Sequence, residues 1–255
     1  MTDFSTNNKV VQDNALVNSF GNLDKITIKL FEICVSAINP LKPPLDNTIF
    51  LNKRDLFFMF QNTENINYTR FGFYLKRLQK QVITIKKDNG VVLSVVPVPT
   101  IQYGTRDDDQ QVRIVFNSEI MPFLVDLRKN FTQYPIYDLY GIKNKYSLIL
   151  FQLAYAHHNR NKPFSEEFTH FTVSVSELRE ITGTTNVLPL WSSLEQRVIK
   201  DSIDEINHAW ASIKLHYEKI KTGRKITHIK FTVIPTDYPY HSDKVLQLYK
   251  EFVSR

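Results

Sequence analysis

The chain spells out one order of elements twice, and a repeated order constrains a fold more tightly than any single motif. In the first half, Leu23 to Asn39 places Ile26, Leu30, Ile33, Cys34, Ala37 and Ile38 at helical spacing, and Pro40 predicts where that helix stops. Thr48 to Leu51 reads as a short strand. Asn52 then caps a helix that turns Leu56, Met59 and Phe60 inward. A third helix, Asn67 to Gln81, carries one apolar stripe of Phe71, Tyr74, Leu75 and Leu78 that runs on to Val82. Val82 to Lys87, the turn Asp88-Asn89-Gly90 and the apolar run Val91 to Ile101 predict a β-hairpin with a strong Asn-Gly signal.

The second half repeats the series. Lys143 to Asn159 is a helix by Tyr146, Ile149, Leu150, Leu153, Ala154 and His157, and Phe171 to Ser174 is a short strand. Ser174 opens a helix over Val175 to Thr182, with Glu177 at the spacing of a capping box. A long helix from about Ser192 to Trp210 buries Leu194, Val198, Ile199, Ile203, Ile206 and Trp210. Ile213 to Ile220 and Ile226 to Val233 alternate as strands around the tip Lys221-Thr-Gly-Arg-Lys225.

Helix, strand, helix, helix, hairpin is the order of a winged helix-turn-helix, whose third helix enters a DNA major groove while the hairpin wing touches backbone. The predicted fold class is therefore α+β, with two tandem winged-helix domains related by internal duplication. Between the copies, Gln110 to Phe116 predicts a strand and Ser118 to Lys129 a short helix capped by Ser118. Pro135 and Gly141 interrupt the pattern and place a boundary at about 130–143. The first domain is then 1–130, the second 143–235, and 236–255 a tail with one helix, His241 to Phe252.

Composition narrows the function classes. With 18 Phe and 12 Tyr in 255 residues the chain buries enough apolar area to fold, which excludes a disordered tail protein. No apolar run approaches the roughly 18 residues that cross a bilayer, and Met1 to Asn8 lacks a signal-peptide core, so the expected location is the cytoplasm. The single cysteine, Cys34, fits a reducing compartment.

The formal net charge is only +6, but the cations cluster. Arg70, Lys76, Arg77, Lys80, Lys86 and Lys87 fall between residues 65 and 87 with no acidic residue among them. Lys214, Lys219, Lys221, Arg224, Lys225 and Lys230 follow in the second hairpin with Glu218 as the one acid. Lysine and arginine neutralise phosphate, and base edges are read by the front of a groove-facing helix. The candidate DNA-binding residues are therefore Arg70, Lys76, Arg77 and Lys80 on the first such helix, Ser193, Gln196, Arg197 and Lys200 on the second, and Lys221, Arg224 and Lys225 on the wing. Asp201, Asp204 and Glu205 would repel phosphate, so only the front of the second helix can dock. Either helix alone reads as an ordinary solvated face, and hairpin lysines also guard against aggregation. The duplication, with a basic hairpin after each helix, tips the reading to DNA. Val91 to Ile101 is apolar on both faces and interrupted by Pro97 and Pro99; burial in its own core stands somewhat ahead of a dimer interface.

Enzyme chemistry finds no foothold. His157 and His158 are adjacent rather than spaced for a nicking centre, and His157 completes an apolar helical series. His170, His208, His216, His228 and His241 show no zinc-site spacing, no Gly-x-x-x-x-Gly-Lys loop is present, and Cys34 lies on a buried stripe. No catalytic residue, metal or cofactor is expected.

The second half resembles the C-terminal winged helix of initiator Rep proteins from theta-replicating, iteron-controlled plasmids. The likeness lies in Lys143-Asn-Lys-Tyr-Ser-Leu-Ile-Leu-Phe-Gln-Leu, in Val175-Ser-Glu-Leu-Arg, in Arg197-Val-Ile-Lys-Asp-Ser-Ile-Asp-Glu-Ile-Asn207 and in the wing Tyr217 to Phe231. Val10 to Asn18 and the helix at Leu23 look like the family's N-terminal start, so the resemblance spans roughly Val10 to Pro235. It implies an initiator that binds repeated double-stranded DNA sites at an origin as a monomer and an inverted operator as a dimer, repressing its own gene. It further implies recruitment of a host initiator and a replicative helicase, with the main sequence readout in the second domain. Carried over, Arg197 and Lys200 fall on the recognition helix and Lys221, Arg224 and Lys225 on the wing, whereas Glu205, Ile206 and Asn207 read as packing and helix-end residues. The chain departs from its relatives at Ser193-Leu-Glu-Gln-Arg197, where several consecutive basic residues are usual, and Glu195 or Gln196 there would alter the preferred bases. A transcription repressor of the same architecture, or a module whose basic faces contact protein, stand as alternatives.

Overall fold

The computed structural model describes residues 8–60, 68–87, 89–104, 110–161, 168–209, 211–236, 247–248 and 250–251. The chain runs through β1 (Lys9–Asp13), α1 (Asn14–Val17), α2 (Lys25–Ser36), β2 (Thr48–Asn52), α3 (Lys53–Phe60) and α4 (Tyr68–Leu78). Four short strands follow: β3 (Ile83–Lys86), β4 (Val92–Val95), β5 (Thr100–Tyr103) and β6 (Gln111–Val115). After β7 (Phe131–Pro135) come α5 (Lys145–Asn161), β8 (Thr169–Ser174), α6 (Val175–Thr182) and α7 (Trp191–Leu194). A π-helical turn, Glu195–Lys200, joins α7 without a break to α8 (Asp201–His208), and β9 (Ile213–Thr222) and β10 (Lys225–Pro235) close the series.

Local chemistry sets the helix ends. Asp24 caps α2, its Oδ1 accepting from the backbone N–H of Ile26 at 3.0 Å and of Thr27 at 3.3 Å. Asn52 does the same for α3 through the N–H of Arg54 at 2.9 Å. Ser174 Oγ accepts from the Glu177 N–H at 3.1 Å, and α6 stops at Gly183, whose φ of +66° is the left-handed conformation a helix end favours.

Each half holds a three-stranded antiparallel sheet, in the order β2-β6-β5 in the first and β8-β10-β9 in the second. The two orders are equivalent, since the strand after the first helix pairs with the last strand of the wing in both. The duplication therefore holds at the level of the sheet, but the first wing is β5 and β6. The hairpin expected there is a separate two-stranded unit, β3 with β4. Pro97 and Pro99 are the cause. Without N–H groups they cannot continue a ladder, so the apolar run 91–101 breaks into β4 and β5, which belong to different sheets. Val91 and Val92 are 50% and 58% exposed, so the run is not buried throughout as expected, although Val95 and Val98 are. The turn itself is as predicted, with Gly90 at φ +81° and its N–H donating to Lys87 O at 2.9 Å; Asp88 lies outside the described residues.

Two other expectations are corrected. Residues 118–129 form only a 3-10 turn at Met121–Phe123 with no side-chain cap; ahead of it Asn117 Oδ1, rather than Ser118, accepts a backbone hydrogen bond, from the Glu119 N–H at 3.0 Å. Asp126 at φ +54° precludes a longer helix. The segment 130–143, read as an interruption between the copies, carries β7, which pairs antiparallel with β1 from Lys9↔Pro135 to Asp13↔Phe131. The predicted tail helix, His241 to Phe252, lies outside the described residues except at 247–248 and 250–251, which are helical; Trp210 is outside them too.

The halves share one core. In α5 every residue from Ser147 to Ala156 is buried, because the helix packs against β7, α1 and α2 on one side and against β8 and α8 on the other. Glu32 of α2 accepts from Gln12 Nε2 at 3.0 Å and from the Tyr134 hydroxyl at 2.6 Å, and that hydroxyl in turn accepts from Gln152 Nε2 of α5 at 3.0 Å. Asp138 accepts from the N–H and hydroxyl of Ser212 at 3.0 and 2.9 Å. Backbone meets backbone where a Cβ on Gly183 would lie 2.1 Å from Gly21 O, and Lys145 Nζ donates to that same oxygen. Among the described residues no helix is long and apolar enough to cross a membrane.

Candidate nucleic-acid interface

The helix from Trp191 to His208 carries the second predicted reading surface. Its buried line is Leu194, Val198, Ile199, Ile203 and Ile206, as the spacing predicted. The π turn adds one residue per turn between Glu195 and Lys200, and the Asp201 N–H reaches back to Gln196 O. Gln196, Arg197 and Lys200 are exposed and Ser193 is half-buried. Gln196 Nε2 donates to Asp201 Oδ1 at 2.7 Å, so its amide is turned back along its own helix. Asp201 and Asp204 are exposed behind this front, the polarity expected from sequence.

Glu195 does not face outward with them. Its side chain is 12% exposed, and its carboxylate accepts from Trp191 Nε1 at 2.9 Å, the Tyr217 hydroxyl at 2.8 Å and Lys219 Nζ at 3.0 Å. Burial pushes this carboxyl up, but the hydrogen bonds from Lys219 and Tyr217, the Lys219 charge and the Trp191 N–H outweigh it and hold the group below its ordinary value. The Tyr217 hydroxyl is pushed up to about 12 by burial and by the adjacent carboxylate. Glu195 is thus a latch between the helix 191–208 and β9. Of the two residues expected to alter base preference, Glu195 or Gln196, Glu195 has its oxygens engaged inside the protein. Trp191 and Glu195 at i and i+4, with Tyr217 and Lys219 two apart on a strand, were the signal for this latch.

The wing tip is a two-residue turn, Gly223-Arg224, closed by the Lys225↔Thr222 pair, with Gly223 at φ +61°. Lys221, Arg224 and Lys225 are exposed. Among the described residues these three, Arg197 and Lys200 have no acidic partner, whereas Lys219 is tied to Glu195 and Lys230 lies 3.7 Å from Glu218. Glu205 and Asn207 are structural, as the resemblance implied. Glu205 accepts from the N–H groups of Lys143 and Asn144 ahead of α5, and Asn207 pairs with both backbone groups of Leu215 at 2.7 and 2.9 Å.

The first half is less committed to polyanions. On α4, Arg70 and Lys76 are exposed, and Lys80 is exposed in the turn beyond it. Arg77 Nε pairs with Asp24 Oδ2 at 3.0 Å, which ties the end of α4 to the cap of α2. Lys86, from the same basic segment, pairs with Glu180 of α6 and so bridges the halves. The chain between β5 and β6 reads Gly-Thr-Arg-Asp-Asp-Asp-Gln over 104–110, an acidic composition where the second wing is basic. His157 stacks on Phe171 with centroids 4.2 Å apart, and the Cys34 thiol is pushed up by burial.

Comparison with known proteins gives three findings. The family model described as initiator replication protein, WH1, matches residues 9–155, and the model described as initiator Rep protein, WH2, matches residues 174–233. A replication initiation protein of Escherichia coli is 23% identical over 231 residues, covering 88% of this chain and 69% of that protein. The crystal structure of the Pi initiator protein in complex with iteron DNA has the same fold, with a TM-score of 0.77 at 19% identity, covering 91% of this chain and 99% of that one.

Proposed function

Because the chain belongs to the family of initiator Rep proteins, its two winged-helix models together spanning most of its length, we propose that it initiates plasmid replication by binding repeated double-stranded DNA sites at an origin. The observation that carries this reading is the set of five exposed cations, Arg197, Lys200, Lys221, Arg224 and Lys225, with no acidic partner among the described residues. They stand on a helix and a wing that Glu195 latches together. Such a unit neutralises phosphate on both sides of a groove while the helix front reads bases. The relative solved with iteron DNA supports the same partner.

The second half supplies the main readout in this proposal, since its wing is basic where the corresponding chain of the first half is acidic. Arg70, Lys76 and Lys80 add backbone contacts, and a dimer formed through the first half represses the protein's own gene. The chain works by binding rather than as an enzyme, acts in the cytoplasm, and opens the origin with a host initiator and a replicative helicase.

The test has two arms. Fluorescence anisotropy with duplexes from the DNA flanking the gene is expected to show affinity that falls steeply with salt, by a slope of about 0.9 per phosphate contacted. A plasmid lacking the gene is expected to stop replicating and to be rescued in trans. Salt-dependent binding without rescue would leave a repressor of the same architecture, and salt-independent binding would remove the proposal.

A further inference from the structure

The segment 183–190, between α6 and the reading helix, is where a helix-turn-helix places its turn, a position that polar residues ordinarily fill. Two apolar side chains nevertheless face solvent there, Val187 at 67% and Leu190 at 65% exposed. Leu188 between them is buried in a small cluster with Leu194 and Val198, against which Tyr146, Val175 and Trp191 pack.

This turn is held on every side. Thr184 N–H donates to Arg179 O at 2.8 Å, and Thr184 O accepts from the N–H groups of Val187 and Leu188 at 3.3 and 3.2 Å. The Arg179 guanidinium donates to Leu188 O and, at 3.1 Å, to Pro189 O. Leu190 O takes the Leu194 N–H at 3.1 Å, the first bond of the reading helix. Val187 and Leu190 are therefore fixed immediately ahead of the helix whose exposed residues continue as Gln196, Arg197 and Lys200.

Leu41 and Leu45 are more exposed still, so it is the position of Val187 and Leu190, immediately ahead of the helix 191–208, that points to a partner, and their size restricts which. Two side chains fall far short of the roughly 800 Å² per partner of a stable protein interface. No acidic residue occurs from Thr184 to Leu194, Glu195 is turned inward, and the cations of the helix lie just behind, so the surroundings admit a polyanion. The apolar feature of a major-groove edge is the C5-methyl group of thymine.

We propose that Val187 and Leu190 form a base-reading subsite for thymine C5-methyl groups, with Arg179 as the positioning residue that fixes the turn. The subsite rests on the DNA-binding reading above and extends it, because cations alone register phosphate and leave the methyl unread.

The full chain is first used to select duplexes from a randomised double-stranded library. Each thymine of the selected site is then replaced singly by deoxyuridine, which removes the methyl and keeps base pairing. Wild-type affinity is expected to fall about fourfold at one or two thymines, the value of one buried methyl. Leu190→Ala or Val187→Ala is expected to bind thymine and deoxyuridine duplexes alike at its own position. Both side chains are exposed, so these variants keep the wild-type thermal melt. Arg179→Met is expected to blunt the response at both positions while the salt slope stays unchanged. If wild type binds tightly and no thymine responds, or if the alanine variants keep the full response, the subsite is refuted and DNA binding stands. If wild type selects no sequence and binds no duplex, both readings fall. Loss of self-association in Leu190→Ala with the thymine response intact assigns the pair to a contact between copies and overturns the proposal.

Discussion

The Tyr217 hydroxyl donates to the Glu195 carboxylate at 2.8 Å, so the first strand of the wing and the reading helix are joined by a shielded, charge-assisted contact. Removing the carboxylate leaves the Tyr217 hydroxyl, the Lys219 ammonium and the Trp191 N–H without their acceptor. Glu195→Ala is expected to cost about 1–3 kcal/mol of stability in urea denaturation, and Tyr217→Phe about 1 kcal/mol. The pair is expected to be non-additive in a double-mutant cycle. If the chain binds duplex DNA as proposed, Glu195→Ala is expected to weaken that binding at fixed salt and leave the salt slope unchanged, because no phosphate contact has gone.

The wing makes the opposite prediction. Lys221, Arg224 and Lys225 stand exposed around a turn that Gly223 permits, so each is available to a phosphate. Arg224→Ala is expected to lower the slope of log affinity against log salt by about one, and the triple alanine variant by about three. Lys219→Ala, although two residues from the tip, is expected to change stability more than slope, since Lys219 is engaged by Glu195. Anisotropy titrations at four salt concentrations separate the two classes.

Gly183 is expected to tolerate no side chain. At φ +66° any L residue is strained, by about 1 kcal/mol, and an added Cβ would lie 2.1 Å from Gly21 O on the other half. Gly183→Ala therefore strains the end of α6 and also pushes the halves apart, and a loss of more than about 2 kcal/mol in urea denaturation is expected. Gly223→Ala is the control. It shares the positive φ but meets nothing within 4 Å, so it is expected to lose only the conformational part.

What could be read from sequence was what short-range chemistry decides. The cap at Ser174, the helix Val175–Thr182 and the turn at Gly90 depend on neighbours a few residues away, and each stands where it was predicted. Three features resisted because their causes lie far along the chain. Phe131 pairs with Asp13, so a stretch punctuated by Pro135 and Gly141 reads as a connection until β1 is placed beside it. The first strand of the first wing is β5, because β6 offers it a ladder that β4, cut off by Pro97, does not join. Of the site, the exposed cations of the second half were legible from their density, but charge alone did not distinguish Lys221, which is exposed at the tip, from Lys219, Arg77 and Lys86, which hold the protein's own carboxylates.

The buried ionisable groups between the halves give the last prediction, a shape for stability against pH. Burial pushes Glu32 and Asp138 up to about 7, with hydrogen bonds from Tyr134, Gln12 and Gln152 to Glu32 and from Ser212 and Tyr155 to Asp138 opposing it. A carboxyl raised in the folded state binds its proton more tightly there, so its contribution is fully present below about 4.5 for Glu32 and is lost as pH rises through about 7. Lys29 runs the other way. Burial outweighs the attraction of Glu205 and lowers it to about 7, so its contribution is full above about 10.5 and is lost as pH falls through about 7. The three groups together place a minimum near pH 7 in their share of the unfolding free energy, with arms of a few kcal/mol at about 1.4 kcal/mol per pKa unit. Glu32→Gln is expected to halve the slope of the acid arm between pH 4.5 and 7, which Asp138 shares, and Lys29→Met to flatten the alkaline arm between pH 7 and 10. Urea midpoints measured across that range check both, and an acid arm unchanged in Glu32→Gln would show that Glu32 is ionised at neutral pH at little cost.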